Sequence, residues 1–409
     1  MRGRCPIWGG AASFFERQVV MQKLKYYGSL ILFFIVVGAL GFGTSYVQRP
    51  HNVVIGVNLA LSGEEKAYGE ATARGIGMAR DKINAEGGLL DEAVTVVAVD
   101  NHGSAGDAEA AVKQLTSRHA VAMIGPNLSH CALAVVRDAT AAKMPVISPA
   151  GTNPDITVDH RTGEAHEYMF RATFIDSYQG RAMADYAFGQ LKARTAAVVY
   201  DERQAYSKGL AAFFKQSFLA DGGQVPVYVD VSSDDSFAAA VAALQASPCQ
   251  VVYAPLYDEK AMEFIVKARD AGIAALILGP DGWNGRRMAQ SLSPAYLQNL
   301  FYTDHYANDV NEPVAEEFAE AYYEKYGELP DSYAALGYDS FMMVAEAVRR
   351  SGSADPKKIA EELAKTIDYH GVTGMIALDA NHDAIKPVFI MTFWQGQPAL
   401  LEKRPTVQL

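Results

Sequence analysis

Cysteine is scarce in this sequence of 409 residues, which contains only Cys5, Cys131 and Cys249. No two of them stand in a CxxC spacing, so the sequence offers neither a disulfide framework nor a thiolate metal site, and we expect free thiols. The nine histidines are never spaced with acidic residues as metal ligands are. We therefore expect no metal and no other cofactor.

Catalytic and nucleic-acid signatures are also missing. The sequence has no GxSxG, HExxH or Walker motif, and residues 56–63, GVNLALSG, stand where a dinucleotide-binding loop would follow the first strand. The net charge is −11, and lysines and arginines form no stripe that could follow a phosphate backbone. These absences favour a binding protein over an enzyme and argue against a nucleic-acid partner.

An uncharged stretch at residues 26–48, preceded by Lys23 and Lys25, marks residues 1–50 as an N-terminal export segment. As a helix it covers roughly 34 Å, enough to span a bilayer, so it predicts either a signal peptide or an anchor that keeps contact with the inner membrane. The small residues Ala39 and Gly41 favour cleavage, and Met21 begins a better signal sequence than Met1 does. We predict a periplasmic or extracytoplasmic location.

The remainder alternates short β-branched runs with helical segments, which indicates the α/β class. Continuous apolar runs at residues 53–57, 94–99, 121–124 and 145–148 are typical of buried parallel strands. The predicted order of strand, helix and strand over residues 99–126 is repeated over residues 229–255. This repetition predicts two doubly wound parallel-sheet lobes with a cleft between them.

Ligands in such folds bind beyond the carboxyl ends of the strands, where helix N-termini present free N–H groups. In the first half of the chain these loops hold Ser129 and the run Ala150, Gly151 and Thr152. Hydroxyls and closely approaching backbone suit a carboxylate. The alternative is that Ser129 only caps a helix and that Thr152 only belongs to a turn.

The second half of the chain places an acid at the equivalent edge. Asp281 follows the predicted strand at residues 275–278 and suits an ammonium group, although a turn aspartate bonding its own backbone has the same sequence pattern. Tyr68, Tyr206 and Tyr257 each follow a strand-end loop and suit either the ligand or interlobe packing. An anion site that faces an acid across a cleft would select zwitterions.

Residues 53–393 resemble the type I periplasmic solute-binding proteins of branched-chain amino acid ABC transporters, the leucine/isoleucine/valine-binding group. The motifs that carry the resemblance are AYGE at 67–70 with Gly75 and INAEGG at 83–88, ISPAGTNP at 147–154, YAALGYD at 333–339, and GVTG at 371–374.

The resemblance implies a Venus-flytrap fold whose lobes are joined by three crossovers, near residues 170–173, 302–305 and 374–376. One lobe would comprise residues 51–171 with 304–374, and the other residues 172–303 with 375–409. It also implies an amino acid ligand, possibly branched-chain, and the permease subunits of an ABC importer as partners.

The resemblance further implies a role for each candidate residue. Ser129 and Thr152 would bind the ligand carboxylate, and the backbone at Ala150 together with Asp281 would bind the ammonium. Tyr206 and Tyr257 would close over the ligand, and Tyr68 would contact its variable group.

Several positions depart from the family pattern. Asp281 stands where a longer glutamate is familiar, and His130, Trp283 and Asn284 are bulkier or more polar than the usual neighbours. The identity of the ligand therefore stays open, with an amide, a urea or a short carboxylate as alternatives to an amino acid. A membrane-anchored ligand-binding sensor is the alternative to a transport component.

Overall fold

Two large β-sheets organise residues 53–233 and 236–405, which are the residues that the computed structural model describes. Within these ranges no helix combines the length and the apolar character needed to cross a membrane. The predicted apolar helix at residues 26–48 lies outside the described residues.

The first sheet has five parallel strands in the order β2-β1-β3-β4-β7. Its strands are β1 (Val54–Leu59), β2 (Thr95–Asp100), β3 (Ala122–Ile124), β4 (Val146–Ser148) and β7 (Met169–Arg171). A two-stranded ribbon of β5 (Val158–Asp159) and β6 (Glu164–Ala165) interrupts the chain between β4 and β7. All four strands predicted for this half of the chain are present.

The second sheet has seven strands in the order β17-β16-β12-β11-β10-β8-β9. These are β8 (Thr195–Tyr200), β9 (Gln224–Asp230), β10 (Val251–Tyr253), β11 (Leu276–Gly279), β12 (Leu300–Asp304), β16 (Val388–Trp394) and β17 (Gln397–Arg404). The pairings among β8 to β12 are parallel, whereas β16 and β17 add antiparallel strands at one edge. Three short strands form a separate sheet: β13 (Tyr369–Gly371), β14 (Gly374–Leu378) and β15 (Ala384–Ile385).

Helices connect the parallel strands and cover both sheets, as the predicted α/β class requires. They are α1 (Lys66–Ala85), α2 (Ala105–Ser117), α3 (Ser129–Ala142), α4 (Asp176–Asp185), α5 (Ala205–Ala220), α6 (Ser236–Ala246), α7 (Asp258–Asp270), α8 (Gly285–Ser291), α9 (Pro313–Tyr326), α10 (Ser332–Ser351) and α11 (Pro356–Leu363). We call the first sheet with its helices the first lobe, and the second sheet with its helices the second lobe.

Strand β2 differs from the sequence expectation. The apolar run at residues 94–99 predicts a buried strand, but Thr95 and Ala98 of β2 are exposed and its valines are only half-buried. The reason is its position, because β2 is the edge strand of the first sheet and pairs with β1 alone. An apolar run carries no information about whether a strand is central or at an edge.

Helices α1 and α10 pack with their backbones almost in contact. A Cβ added to Gly75 of α1 would lie 1.9 Å from the backbone oxygen of Ala334 in α10, and one added to Gly337 would lie 2.4 Å from the backbone oxygen of Thr72. Glycine at both positions permits this approach. The contact fixes the starts of α1 and α10 relative to each other.

Asp339 of α10 binds the turn that joins β13 to β14. Its carboxylate accepts hydrogen bonds from the backbone N–H groups of Val372 and Thr373, both at 2.9 Å, and from the Thr373 hydroxyl at 2.6 Å. The Lys386 ammonium donates to the same hydroxyl at 2.6 Å. This network joins the YAALGYD motif to the GVTG motif.

The third crossover lies further along the chain than predicted. Ile376, Leu378 and Ala384 pack in the core of the first lobe with residues of β1, and the chain joins the second sheet only at Val388. The segment expected at residues 374–376 is instead part of the three-stranded sheet. The remaining lobe boundaries stay a prediction.

We predict opposite effects for two alanine substitutions in α1. Gly75→Ala should lower the free energy of unfolding by about 1–3 kcal/mol, since its methyl group forces α1 away from α10. Gly77→Ala is the matched control: nothing lies within 4 Å of a Cβ there, so better helix propensity should stabilise the protein by up to about 1 kcal/mol. Urea unfolding measures both, and shifts in the same direction would contradict the proposed packing.

Candidate ligand-binding site

A small cavity lies where strand ends of the two lobes face each other. The first lobe contributes the loop after β3, the loop after β4 and the start of α10, and the second lobe contributes the loops after β10 and β11 and the start of α5. The lining residues are Asn127, Leu128, Ser129, Ala150, Tyr206, Tyr257, Asp281, Gly282 and Tyr333. This is the position expected for a ligand between two doubly wound sheets.

The N-terminus of α3 forms one wall of the cavity. Leu128 is the N-cap residue and provides no side-chain cap, and Ser129 is the first helical residue. Ser129 is therefore not the cap that the sequence left as an alternative. Its hydroxyl is buried beside the free N–H groups of the first turn, an arrangement that suits an anionic group.

The loop after β4 is held from behind by a buried arginine. Arg171 donates to the backbone oxygens of Gly151 at 2.9 Å and Asn153 at 2.8 Å, and it pairs with Asp383 at 2.6 Å. The backbone N–H of Gly151 in turn donates to the Ser148 hydroxyl at 3.0 Å. These bonds fix the loop, so that Ala150 reaches the cavity while Gly151 lies behind it.

Asp281 forms the opposite wall, and its carboxylate is held by three side chains. Oδ1 accepts from the Gln179 amide at 2.9 Å and from the Tyr206 hydroxyl at 2.7 Å. Oδ2 lies 2.8 Å from Nε2 of His305. The Asp281 N–H also donates to the Gln179 side-chain oxygen at 2.8 Å, so this carboxylate is not turned back onto its own loop.

His305 does not neutralise that carboxylate. Complete burial lowers the pKa of His305 from 6.5 to about 4, although the neighbouring Asp281 opposes the shift. The imidazole is therefore uncharged at neutral pH and acts only as a hydrogen-bond donor to Asp281. In the described part of the chain, no lysine or arginine forms a salt bridge with Asp281.

Four tyrosines surround the cavity. The rings of Tyr206 and Tyr257 stack at a centroid distance of 4.9 Å, and those of Tyr68 and Tyr333 lie 4.6 Å apart. Tyr68 itself lines an adjoining opening. Burial raises the pKa of the Tyr206 hydroxyl well above its usual value, and the nearby Asp281 raises it further, so the hydroxyl stays protonated and donates.

Known proteins of similar sequence and structure identify this arrangement. Residues 52–397 match the periplasmic binding protein family. The chain belongs to the periplasmic binding protein family.

Three relatives document the likeness. An amino acid binding protein of Pseudomonas aeruginosa is 27% identical over 352 residues, which cover 85% of this chain and 91% of the relative. A leucine binding protein of Thermotoga maritima superposes with a TM-score of 0.80 at 32% identity, covering 86% of this chain and 99% of that structure. The substrate binding protein of a branched-chain amino acid transporter from Streptococcus pneumoniae, solved with isoleucine, gives 0.79 at 32% identity, with 86% and 99% covered.

This membership confirms the predicted fold class and the prediction of a solute-binding protein in place of an enzyme. It also confirms the resemblance to the leucine/isoleucine/valine-binding group. Periplasmic binding proteins act outside the cytoplasm, in agreement with the predicted location. The predicted signal peptide or anchor lies outside the described residues.

Most of the candidate site residues come together around the cavity. The lining includes Ser129, Ala150, Tyr206, Tyr257 and Asp281. Tyr68 contacts the site through its ring, which lies against Tyr333. Gly151 and Thr152 are buried beside the cavity and do not line it. Their roles toward a ligand stay predictions.

Thr152 faces an acid that the sequence analysis did not consider. Its hydroxyl lies next to the carboxylate of Asp176, although the two groups do not meet with ordinary hydrogen-bond geometry. Asp176 is fully buried at the start of α4, and this burial raises its pKa well above the usual value, with a further contribution from nearby Asp281. Burial therefore disfavours a second negative charge at Asp176 beside Asp281.

Sequence reasoning also missed residues that complete the site. Asn127, Leu128, Gly282 and Tyr333 line the cavity, and Gln179 and His305 position Asp281. Asn127 and Leu128 follow β3 directly, in a loop that the strand-end rule selects, although the rule does not single out these two side chains. Tyr333, Gln179 and His305 lie on helices or crossovers that only the tertiary fold brings here.

We predict that His305 makes the protein less stable in acid. Between its unfolded pKa of 6.5 and its folded value of about 4, the unfolded chain binds a proton that the folded chain does not, so stability falls as the pH drops through this window. The loss due to this group is on the order of 3 kcal/mol between about pH 7 and pH 4. Urea unfolding of His305→Asn, which keeps a donor for Asp281, should show a correspondingly shallower loss.

The exposed His370 provides the control, because His370→Asn should follow the wild-type pH dependence. If the His305→Asn protein loses as much stability as wild type on acidification, His305 is not buried in its neutral form.

Proposed function

We propose that the protein captures an α-amino acid between its two lobes as the solute-binding component of an ABC importer. The observation that carries the proposal is the pair of opposed walls: Asp281 of the second lobe faces the N-terminus of α3, with Ser129, across one small cavity. One wall suits a carboxylate and the other suits an ammonium.

The orientation of the ligand follows from these charges. Its carboxylate would accept from the Ser129 hydroxyl and from N–H groups of the first turn of α3, where the helix dipole adds to the attraction. Its ammonium would meet Asp281 and the backbone oxygen of Ala150. Both contacts strengthen when the lobes exclude water from the cavity.

The relatives support an amino acid in particular. Their names state that one binds amino acids and another leucine, and a third was solved with isoleucine. We further propose that residues 1–50 export the chain and that the closed lobes dock on permease subunits.

Hydrogen bonds between the lobes accompany closure over the ligand. The Tyr68 hydroxyl of α1 donates to Asp258 of the second lobe at 2.5 Å and approaches the Gly282 backbone oxygen at 3.2 Å. The Asn284 amide donates to Asp331, the N-cap of α10, at 2.7 Å. Because these bonds join the two lobes, they stabilise the closed form over any open one.

Removal of the acid should abolish most of the affinity. We expect Asp281→Asn to cost on the order of 2–5 kcal/mol of binding free energy, since the ligand ammonium would be desolvated without a charged partner. A thermal-shift screen of the common amino acids, amides and small acids identifies a ligand, and calorimetry then compares the variants. Asp221→Asn, exposed on the same lobe, is the matched control.

The 2-hydroxy acid analogue of the ligand, which has no ammonium, tests the assignment independently. This analogue should bind weakly to the wild-type protein, and its affinity for the Asp281→Asn variant should be no lower. Unchanged amino acid affinity in Asp281→Asn would exclude the proposed role of Asp281.

If the lobes close over the ligand, a substitution at Tyr68, which lies outside the cavity lining, should weaken ligand binding. Tyr68→Phe keeps the ring against Tyr333 but removes the bond to Asp258, and a hydrogen bond to a charged group is worth about 1.5–3 kcal/mol. The ligand Kd should therefore rise by about 10-fold or more. Tyr323→Phe, on an exposed side chain, should leave Kd unchanged, and equal Kd values for both variants would argue against a closing role of Tyr68.

A further inference from the structure

Asn127 has a side-chain orientation that the surrounding hydrogen bonds determine. Its amide nitrogen donates to the hydroxyl oxygen of Thr72 at 2.8 Å. That hydroxyl already donates its own proton to the backbone oxygen of Tyr68 at 2.8 Å, so it can only accept from Asn127. The amide NH₂ therefore points toward α1, and the amide oxygen points elsewhere.

The amide oxygen of Asn127 has no hydrogen-bond donor among the described residues, although it is buried. The residue is 7% exposed and lines the cavity together with Ser129 and Tyr333. A buried acceptor without a donor costs free energy comparable to a lost hydrogen bond. Because Asn127 lines the cavity, an occupant that supplies a donor at this wall would satisfy its oxygen.

The rest of the cavity lining is also more polar than a ligand with a branched aliphatic side chain would require. Leu128 is the only large aliphatic residue in the cavity lining, where Ser129, Tyr257 and Tyr333 place hydroxyl-bearing side chains. Within residues 53–233 and 236–405, the hydroxyls of Tyr257 and Tyr333 form no hydrogen bond with another residue. A leucine side chain would leave the Asn127 oxygen unsatisfied.

We propose that Asn127 makes the site selective for neutral amino acids whose side chain carries a hydrogen-bond donor, a hydroxyl or a primary amide. This inference rests on the proposed function, because it assumes that the α-carboxylate and α-ammonium bind at α3 and Asp281. It assigns the variable group of the ligand to the wall formed by Asn127 and Tyr333. The Asn127 oxygen accepts the donor of that group.

Two pairs of near-isosteric amino acids test the selectivity with the wild-type protein. Threonine and valine differ by a hydroxyl in place of a methyl group, and asparagine and leucine by an amide in place of a branched alkyl group. In at least one pair the polar member should bind at least about 10-fold more tightly by calorimetry, because a site built to accept a hydrogen bond rejects the analogue that lacks the donor.

The variant Asn127→Leu assigns the effect to this residue. The Kd ratio within the preferred pair should change at least about 10-fold toward the aliphatic member, which is more than the change in the Kd of glycine, an amino acid without a side chain. Thr72→Val retains Asn127 but removes the acceptor that orients its amide, so it should reduce the preference part of the way. If Asn127→Leu does not fold, the wild-type pairs and Thr72→Val still decide the question.

The outcomes separate this inference from the proposed function. If no amino acid binds, glycine included, the proposed function fails and the inference fails with it. If amino acids bind but valine and leucine match or exceed their polar partners, or if the ratios are the same in Asn127→Leu, only the inference is overturned, and a water molecule satisfies Asn127. Tightest binding of lysine or arginine would also overturn it.

Discussion

The carboxylate of Asp281 is the group around which the candidate site is built. Gln179, Tyr206 and His305 hold it with three hydrogen bonds, and the low pKa of His305 keeps that partner uncharged. The acid is thus fixed in position without a counter-charge. A buried carboxylate held by neutral donors attracts a cation strongly, because little water remains to screen it. The ammonium of an amino acid can supply this positive charge. It brings the ligand's own carboxylate with it, and the N-terminus of α3 is the wall that suits that carboxylate.

The partners of Asp281 also connect the site to the segments between the lobes. Gln179 accepts a hydrogen bond from Thr303 of β12 at 2.5 Å, and His305, directly after β12, lies 2.8 Å from the hydroxyl of Thr173 in the first crossover. The position of the acid is therefore coupled to two of the connections about which the lobes would move. Ligand binding and closure can then occur as one event, which is how hinge-bending binding proteins work.

Much of this arrangement could be predicted from the sequence because it follows from local rules. Apolar runs identify β1, β3 and β4, and the rule that ligands bind beyond strand ends selects Ser129, Ala150 and Asp281. These local rules fail where the exposure of a strand or the location of a side chain depends on the whole fold. The exposure of β2 follows from its place at a sheet edge. Tyr333 belongs to the start of α10, which packs closely against α1 at the glycines 75 and 337. The motif at 371–374 anchors a turn to Asp339, so the chain joins the second sheet only at Val388, after the predicted third crossover.

A crystal structure of the protein with its bound amino acid tests the central claim most directly. We expect the ligand ammonium to lie within hydrogen-bonding distance of Asp281, and the ligand carboxylate to lie at Ser129 and the first turn of α3. A ligand bound in the reverse orientation, or one that leaves Asp281 bonded only to Gln179, Tyr206 and His305, would contradict it.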